Sequence, residues 1–538
     1  MQLKQIVIGC TLACAALAAQ AAGVVNVNGV PHNVVYLSGA TAPDGFMGDI
    51  VESMMTNVKF YQNVSANGAF QHRAYAGDAA NIPGVANGTK VLFMKRSKGG
   101  SVWGVNPVAR AQRVETIDVN NCTSGAGTKA SPFVCGTLGI DPGVDGAELP
   151  SNAGLVPDFG VADVEPALFQ GPYNTENDQP ALSPVEVARL QPTAVNQLMM
   201  GLVATNQVPA STVLTRAAYG AMLNNQIQTW DQVDPALSGD VAVCRRVEGS
   251  GTQTAYNWFF SNFPCQSAAK GSAAPARMSD SYGFKAGSAA ELGVARNANG
   301  DPADASAEPG SVNNPWVIDP SYGYTVIENS GSGDVRNCLK NANAGADHYF
   351  RAWDSDDQKE YHFVATFSAS GPMKAVGVLS LDSYNQESGW SFRTMDGAGT
   401  FNAATQTTSA GATGVAPSKA NLINGRWDFA VELSMQYRTV GVSNEQGDNI
   451  AAISGVTKAV ADAFILRAGD PKYVSNFDTT ATYASKPNAY ASLPQGYAGL
   501  STSGGATTNG SGVRYADLYV SKYTRNANTC SPLSFVGN

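Results

Sequence analysis

The residues best suited to chemistry lie in one short run, Arg246-Val247-Glu248-Gly249-Ser250-Gly251-Thr252. It follows a short apolar strand, Val241-Ala242-Val243, and precedes a helical pattern from Gln253 to Phe260. A glycine-rich turn at a helix start gathers several unpaired backbone N–H groups around one point, and the helix dipole adds partial positive charge there. Ser250 and Thr252 add hydroxyl donors. Arg246 adds a two-pronged cationic donor set, and Glu248 is placed to hold that guanidinium. A plain Ser/Thr-capped helix uses the same residue types. Because Arg, Ser and Thr share a single turn between strand and helix, the run reads as an anion cradle.

Covalent and metal chemistry have no comparable signal. The chain contains no Gly-x-Ser-x-Gly, no Cys-x-x-Cys, and no cysteine beside a histidine in sequence. Its four histidines, His32, His72, His348 and His362, are scattered, and none joins a pair of carboxylates in a metal-ligand pattern. The expectation is a non-enzyme with no cofactor and no metal.

The elements that must position the turn alternate between strand and helix. Strands are predicted at Val34–Leu37, Lys90–Met94, Leu202–Thr205 and Ala375–Leu381. Helices are predicted over Asp44–Asn57, Arg216–Leu223, Thr254–Asn262 and Ile450–Leu466. This alternation predicts an α/β architecture with mainly parallel sheets. Three stretches, 121–160, 266–320 and 397–420, are rich in Gly, Ala, Ser, Thr, Asn or Pro and read as loops or insertions.

Met1–Lys4 gives a short positive start, Ile6–Ala18 an apolar run, and Ala19-Gln20-Ala21 a small-x-small site with cleavage after Ala21 or Ala22. This is the layout of a secretory signal peptide, and the apolar run is too short to span a bilayer. An extracytoplasmic address, periplasmic or secreted, follows. Six cysteines lie beyond the signal, an even number that fits disulfides in an oxidising compartment. Local closure favours Cys122–Cys135 and Cys244–Cys265, which leaves Cys338–Cys530. With 34 basic against 43 acidic residues the formal charge is −9. That argues against nucleic acid and an anionic membrane surface as partners.

Several motifs, taken in chain order, resemble the periplasmic phosphate-binding protein of the phosphate ABC importer. The Arg246–Thr252 turn is similar to that family's Arg-x-Glu/Asp-Gly-Ser-Gly-Thr. Leu37-Ser38-Gly39-Ala40-Thr41 resembles its first strand and loop, Lys95-Arg96-Ser97-Lys98-Gly99-Gly100 its Gly-Ser-Ser-Gly-Gly turn, and Phe159-Gly160-Val161-Ala162-Asp163 its Phe-Gly-Ala-Ser-Asp strand end. The stretch from Val213 through Asn225 to Asp231, and the strand Ala375–Leu379, resemble a helix with its turn and a late strand of the second lobe.

The resemblance implies a two-lobed periplasmic-binding-protein fold. Its ligand cleft lies between the lobes, and the hinge is crossed at least twice. It implies 1–22 as the signal peptide, 23–200 with 426–538 as lobe one, and 201–425 as lobe two, the chain returning near Trp427–Tyr437. It carries ligand-binding roles onto Thr41, Ala42, Ser97, Asp163, Arg246, Ser250, Gly251 and Thr252. In that reading Asp163 accepts a hydrogen bond from the proton that phosphate retains near neutral pH, which sulfate lacks. The other reading of Asp163 is a cap on the helix containing Val164-Glu165-Pro166. The chain departs from the family at Ala42, where the family has phenylalanine, at Lys98, where it has the second serine of its pair, and at Glu248, one methylene longer than aspartate. Arg96 and Lys98 add positive charge beside the implied cleft.

The expectation is therefore a monomeric extracytoplasmic protein that binds phosphate or a similar protonated oxyanion and feeds an ABC importer. Two alternatives stand beside it: a structural or adhesive extracellular protein reusing the fold, supported by the Gly/Ala/Ser-rich insertions, and an extracellular phosphatase.

Overall fold

The computed structural model describes residues 23–63, 71–139, 154–176, 179–266, 274–293, 302–354, 359–383, 388–471, 473–474, 489–494 and 519–536. The expected signal peptide, 1–22, and parts of the loop-rich stretches 121–160 and 266–320 lie outside the described residues, whereas 397–420 is described throughout.

The first half of the sheet is built on β1 (Val30–Gly39), whose last six residues are buried. After it come a 3-10 turn at Ala42–Gly45 and helix α1 (Met47–Met54). The chain then turns directly into β2 (Met55–Gln62) and β3 (His72–Ala79). The helix predicted to reach Asn57 thus ends at Met54, because Met55 is already extended and pairs with Ala79. β4 (Lys90–Arg96) and β5 (Phe159–Ala162) both run parallel to β1, in register Leu37 with Lys95 and Leu37 with Phe159.

β6 (Leu190–Thr205) is the long connector. The sequence shows only its Leu202–Thr205 end as a strand, since Pro192, Thr193, Asn196 and Gln197 mask the rest. Those polar positions are tolerated because the strand is flanked throughout. Asn196 Nδ2 donates to the Ala468 carbonyl and Gln197 Nε2 to that of Tyr523.

The second half begins with helix α2 (Arg216–Leu223), with the bounds the sequence predicts and an N-cap from Thr215 to the Ala218 N–H. Strand β7 (Ala242–Arg246) leads into helix α3 (Gly251–Ser261). β7 runs parallel to β8 (Thr325–Asn329) on one side and to β9 (Ala375–Ser380) on the other. Helix α4 (Ser332–Ala344) follows β8. A four-stranded satellite sheet, including Trp316–Ile318 and Lys359–Ala365, packs beside this half.

Strand β10 (Ala430–Arg438) returns to the first half, antiparallel to β5 and to the Leu190–Met199 part of β6. The remainder of β6, Met200–Ala204, pairs with β9 instead. The architecture is therefore α/β and two-lobed, with parallel strands at the heart of each lobe. One crossing is made by β6 at Met199–Met200. The other is made by the segment before β10, where Trp427 Nε1 donates to the Met200 carbonyl and Met200 N–H to that of Phe429. Helix α5 (Gly455–Gly469) packs on lobe one. It starts five residues later than the sequence pattern predicts, because Asn449–Ile450 is used in a small hairpin with Val442–Ser443.

Three disulfides tie the described residues. Cys122–Cys135 joins two neighbouring strands as local closure predicts. The other two expected pairs are corrected: Cys244 bonds Cys338, and Cys265 bonds Cys530. Cys244 lies on β7, and Cys265 lies beyond the far end of α3. Helix α4, which carries Cys338, returns across the sheet next to β7. Proximity across the parallel βαβ unit outweighs closeness in sequence. No helix among the described residues is long and apolar enough to cross a membrane.

Candidate functional site

The site forms where the C-terminal ends of the parallel strands in the two lobes meet, the usual ligand position of open α/β sheets. From lobe two comes the turn after β7. Ser250 has extended backbone and caps α3, its Oγ accepting from the Gln253 N–H at 3.4 Å. The first N–H groups of α3 have no intrahelical carbonyl to reach, so they are presented to the opposite lobe. The sequence-based start at Gln253 falls two residues inside the helix, which begins at Gly251.

From lobe one come two strand ends. β5 delivers Asp163 immediately after Ala162. After β4, Gly99 and Gly100 take positive φ angles of 78° and 82° and turn the chain into a 3-10 segment, Ser101–Gly104. That segment crosses the ends of β1 and β5 so closely that a Cβ on Gly160 would fall 1.6 Å from the Gly104 carbonyl oxygen. The crossing seats Ser101 beside Asp163, whose N–H donates to Ser101 Oγ at 3.2 Å.

The two lobes are in contact here. The Val102 N–H donates to the Gly249 carbonyl at 3.1 Å. A Cβ on Gly251 would lie 2.3 Å from Ser101 Oγ and 2.7 Å from Asp163 Oδ2, and one on Gly100 would lie 3.5 Å from Arg246 Nη2. Asp163, Arg246, Ser250, Gly251 and Thr252 are thus brought to one place, and all four side chains among them are buried. Ser101, which is not among the residues expected from the sequence, joins them. Its signal was its place directly after Gly99-Gly100, at the start of a turn.

Electrostatics there are dominated by burial. Burial pushes the Asp163 carboxyl up to about 6; Arg246 pulls it the other way and Asp382 adds to the rise. Burial also lowers Arg246, with Asp163, Asp334 and Glu176 opposing that. Asp163 Oδ1 and Arg246 Nε are buried without a hydrogen-bond partner among the described residues. An unpaired buried acceptor thus coexists with an unpaired buried cationic donor and the orphan N–H groups of α3. Such a set could serve an oxyanion that keeps one proton: N–H and O–H donors suit bare oxygens, and a carboxylate acceptor suits an O–H. Asp163 does not cap the following turn. Glu165 occupies the N-cap of Pro166–Leu168, without a side-chain bond.

Thr41, Ala42 and Ser97 make no hydrogen bond to Asp163 or Arg246 among the described residues. Thr41 is exposed at the start of its 3-10 turn, and the Ala42 carbonyl accepts from Tyr490 Oη at 2.9 Å. Ser97 Oγ donates to Asp44 and accepts from Lys95 Nζ at 2.9 Å. Lys95 is fully buried there and its ammonium is pushed down to about 8 by burial, with Asp44 opposing. Arg96 stacks on Trp103, 4.3 Å from the ring centroid, and Lys98 pairs with Glu115 at 2.8 Å.

The expected role of Glu248 is corrected. Its carboxylate pairs with Arg277 at 3.2 Å, not with Arg246, and burial together with Glu328 raises it to about 7. Residue 248 lies two positions beyond Arg246, past the strand end, so its side chain is carried to the side of the turn where Arg277 and Arg245 lie. Arg246 is held elsewhere: Nη2 donates to the Ser330 carbonyl at 2.7 Å and Nη1 to Ser332 Oγ at 3.1 Å. Among the described residues no group of His, Cys, Asp and Glu is arranged to hold a metal ion.

No protein-family model and no curated protein matches the chain. Solved structures do. One is a protein from Clostridium perfringens described as a phosphate ABC transporter substrate-binding protein with bound phosphate. It is 14% identical, with 83% of this chain and 98% of that chain covered and a TM-score of 0.35. A second is a high-affinity periplasmic phosphate-binding protein bound with phosphate, 12% identical, with 90% and 97% covered and a TM-score of 0.33. A third is a phosphate-binding protein from Stenotrophomonas maltophilia, 12% identical, with 83% and 84% covered and a TM-score of 0.29.

Proposed function

We propose that this protein is an extracytoplasmic binding protein for phosphate or a similar protonated oxyanion, and that it delivers its ligand to an ABC importer. One observation supports the ligand class above all: the unpaired Asp163 carboxylate oxygen is buried at the same point as Arg246 and the N-terminus of α3. Alone, the helix start and the arginine would favour any small anion. The carboxylate penalises an anion with no proton and rewards one that can donate.

In this reading lobe one is 23–200 with 426–538 and lobe two is 201–425, and they close over the ligand. Arg246 supplies the fixed positive charge. Ser250, Gly251 and Thr252 supply the α3 donors, and Ser101 and Asp163 form the lobe-one wall. Thr41, Ala42 and Ser97 belong to the lobe-one rim, where Thr41 is the exposed hydroxyl.

Calorimetric titration of the mature, oxidised protein at pH 7 with phosphate, arsenate and sulfate tests the proposal. Phosphate and arsenate should bind and sulfate should not. Arg246→Ala should abolish binding. Failure of the wild type to bind any oxyanion would sink the reading.

A further inference from the structure

We propose that the turn opening α4, Ser330-Gly331-Ser332, is a clamp that positions Arg246 for its ligand, and that Ser332 is its specificity-neutral positioning residue. The inference rests on the oxyanion reading of the Arg246 site and adds a part of the machinery that lies outside the glycine-rich turn itself.

The geometry is direct. A guanidinium has five N–H donors in a rigid fork. Arg246 spends one on the Ser330 carbonyl and one on Ser332 Oγ. Two bonds to adjacent points on one turn fix the plane of the fork. The remaining donors, with Nε among them, then keep a set direction. Without the clamp, an arginine at the end of a strand would sample several rotamers, and binding would cost the entropy of freezing them.

The turn is itself built to hold this shape. Asp334 Oδ2 accepts from both Ser330 Oγ and the Gly331 N–H, each at 3.0 Å. Those bonds leave the Ser330 carbonyl and the Ser332 hydroxyl facing Arg246. Beneath the clamp, β7 and β8 run in parallel register with Arg246 opposite Asn329, and the disulfide Cys244–Cys338 ties β7 to α4. Strand and helix therefore cannot slide past each other, and the clamp keeps its spacing.

The test is a double-mutant cycle read by phosphate titration of the oxidised full chain. Ser332→Ala should weaken phosphate binding about tenfold, the worth of one hydrogen bond to a charged group, and should weaken arsenate equally. Ser332→Thr, which keeps the hydroxyl, should restore affinity. In an Arg246→Lys background, which lacks the fork, Ser332→Ala should cost nothing further. Equal cost in both backgrounds would mean that Ser332 touches the ligand itself, and would overturn the clamp. So would an unchanged affinity in the single variant.

A ligand-independent measurement separates this inference from the binding reading. Crystal structures of the ligand-free wild type and Ser332→Ala should show Arg246 in one rotamer in the former and in several in the latter. If the wild type bound no oxyanion, the binding reading alone would fail. The clamp would then stand on the loss of that single rotamer, and would fall if the variant kept it.

Discussion

The Cα of Gly251 packs directly against the carboxylate of Asp163, leaving only 2.7 Å between Oδ2 and the place a Cβ would take. The first residue of α3 in one lobe therefore meets Asp163, the first residue after β5, and Ser101 in the other with no room for a side chain of its own. Gly251→Ala should hold the lobes apart. Overpacking of this kind costs about 1–3 kcal/mol, so phosphate affinity should fall roughly ten- to a hundredfold. Calorimetry measures the affinity, and small-angle scattering should show a more open ligand-bound particle. An alanine variant with wild-type affinity would place the ligand elsewhere.

Asp163→Asn should change what is bound more than how the chain folds. The amide nitrogen can donate, so sulfate no longer meets an unpaired carboxylate. Phosphate should bind less tightly and sulfate measurably, narrowing the ratio between them by at least about tenfold. Competition titrations at pH 7.5 would show this. A ratio unchanged by the substitution would remove Asp163 from the discriminating role.

The raised carboxyl of Asp163 sets a pH dependence with a definite sign. Its folded value is about 6, above the ordinary 3.8. In the ligand-free protein the folded state therefore holds the proton more tightly than the unfolded chain. Stability from this group is full below about pH 4 and is lost as pH rises through about 6. The gap between the folded and ordinary values corresponds to about 3 kcal/mol at most. Asp163→Asn should accordingly be more stable than the wild type at pH 7.5 by up to that amount, the difference closing towards pH 4. Denaturant melts at the two pH values measure it. The same protonation turns Asp163 into a donor, so wild-type sulfate binding should appear as pH drops below about 6.

The disulfide Cys265–Cys530 connects the segment after α3 in lobe two to the C-terminal segment, 265 residues away. That segment docks on lobe one, where Thr529 donates its N–H to Glu165 at 2.7 Å and its hydroxyl to the same carboxylate. Asn257 on α3 adds bonds to the Tyr173 carbonyl and to Asn174 Oδ1 at 3.0 and 2.8 Å. The tail is thus a strap across the two lobes. Replacing both cysteines by serine should lower stability by about 2–4 kcal/mol and speed phosphate release in stopped-flow measurements. Limited proteolysis should cut residues 519–536 earlier in the variant. Unchanged release would mean that closure does not depend on the strap.

Much of this architecture was legible in the chain. The alternation of short apolar strands with amphipathic helices reflects the burial of parallel strands on both faces, and it located β1, β4, β7, β9 and α2. The glycines and hydroxyls of the Arg246–Thr252 turn were legible because backbone N–H groups at a helix start need small residues and a capping oxygen, a requirement written locally. Other features depend on contacts across long separations. β6 is a 16-residue strand despite its polar half, because β10 and the C-terminal segment supply its partners. Ser101 reaches the site because glycine lets one segment cross another's backbone. Arg246 is gripped by Ser330 and Ser332 rather than by nearby Glu248, and Cys244 bonds Cys338 rather than Cys265. The sequence by itself determined the alternation of elements and the strand–turn–helix unit around Arg246–Thr252, both governed by short-range periodicity and local backbone chemistry. Only the tertiary structure decided which side chains hold the arginine, which cysteines pair and how Asp163 meets Gly251. Those choices depend on which distant segments the parallel strands bring side by side.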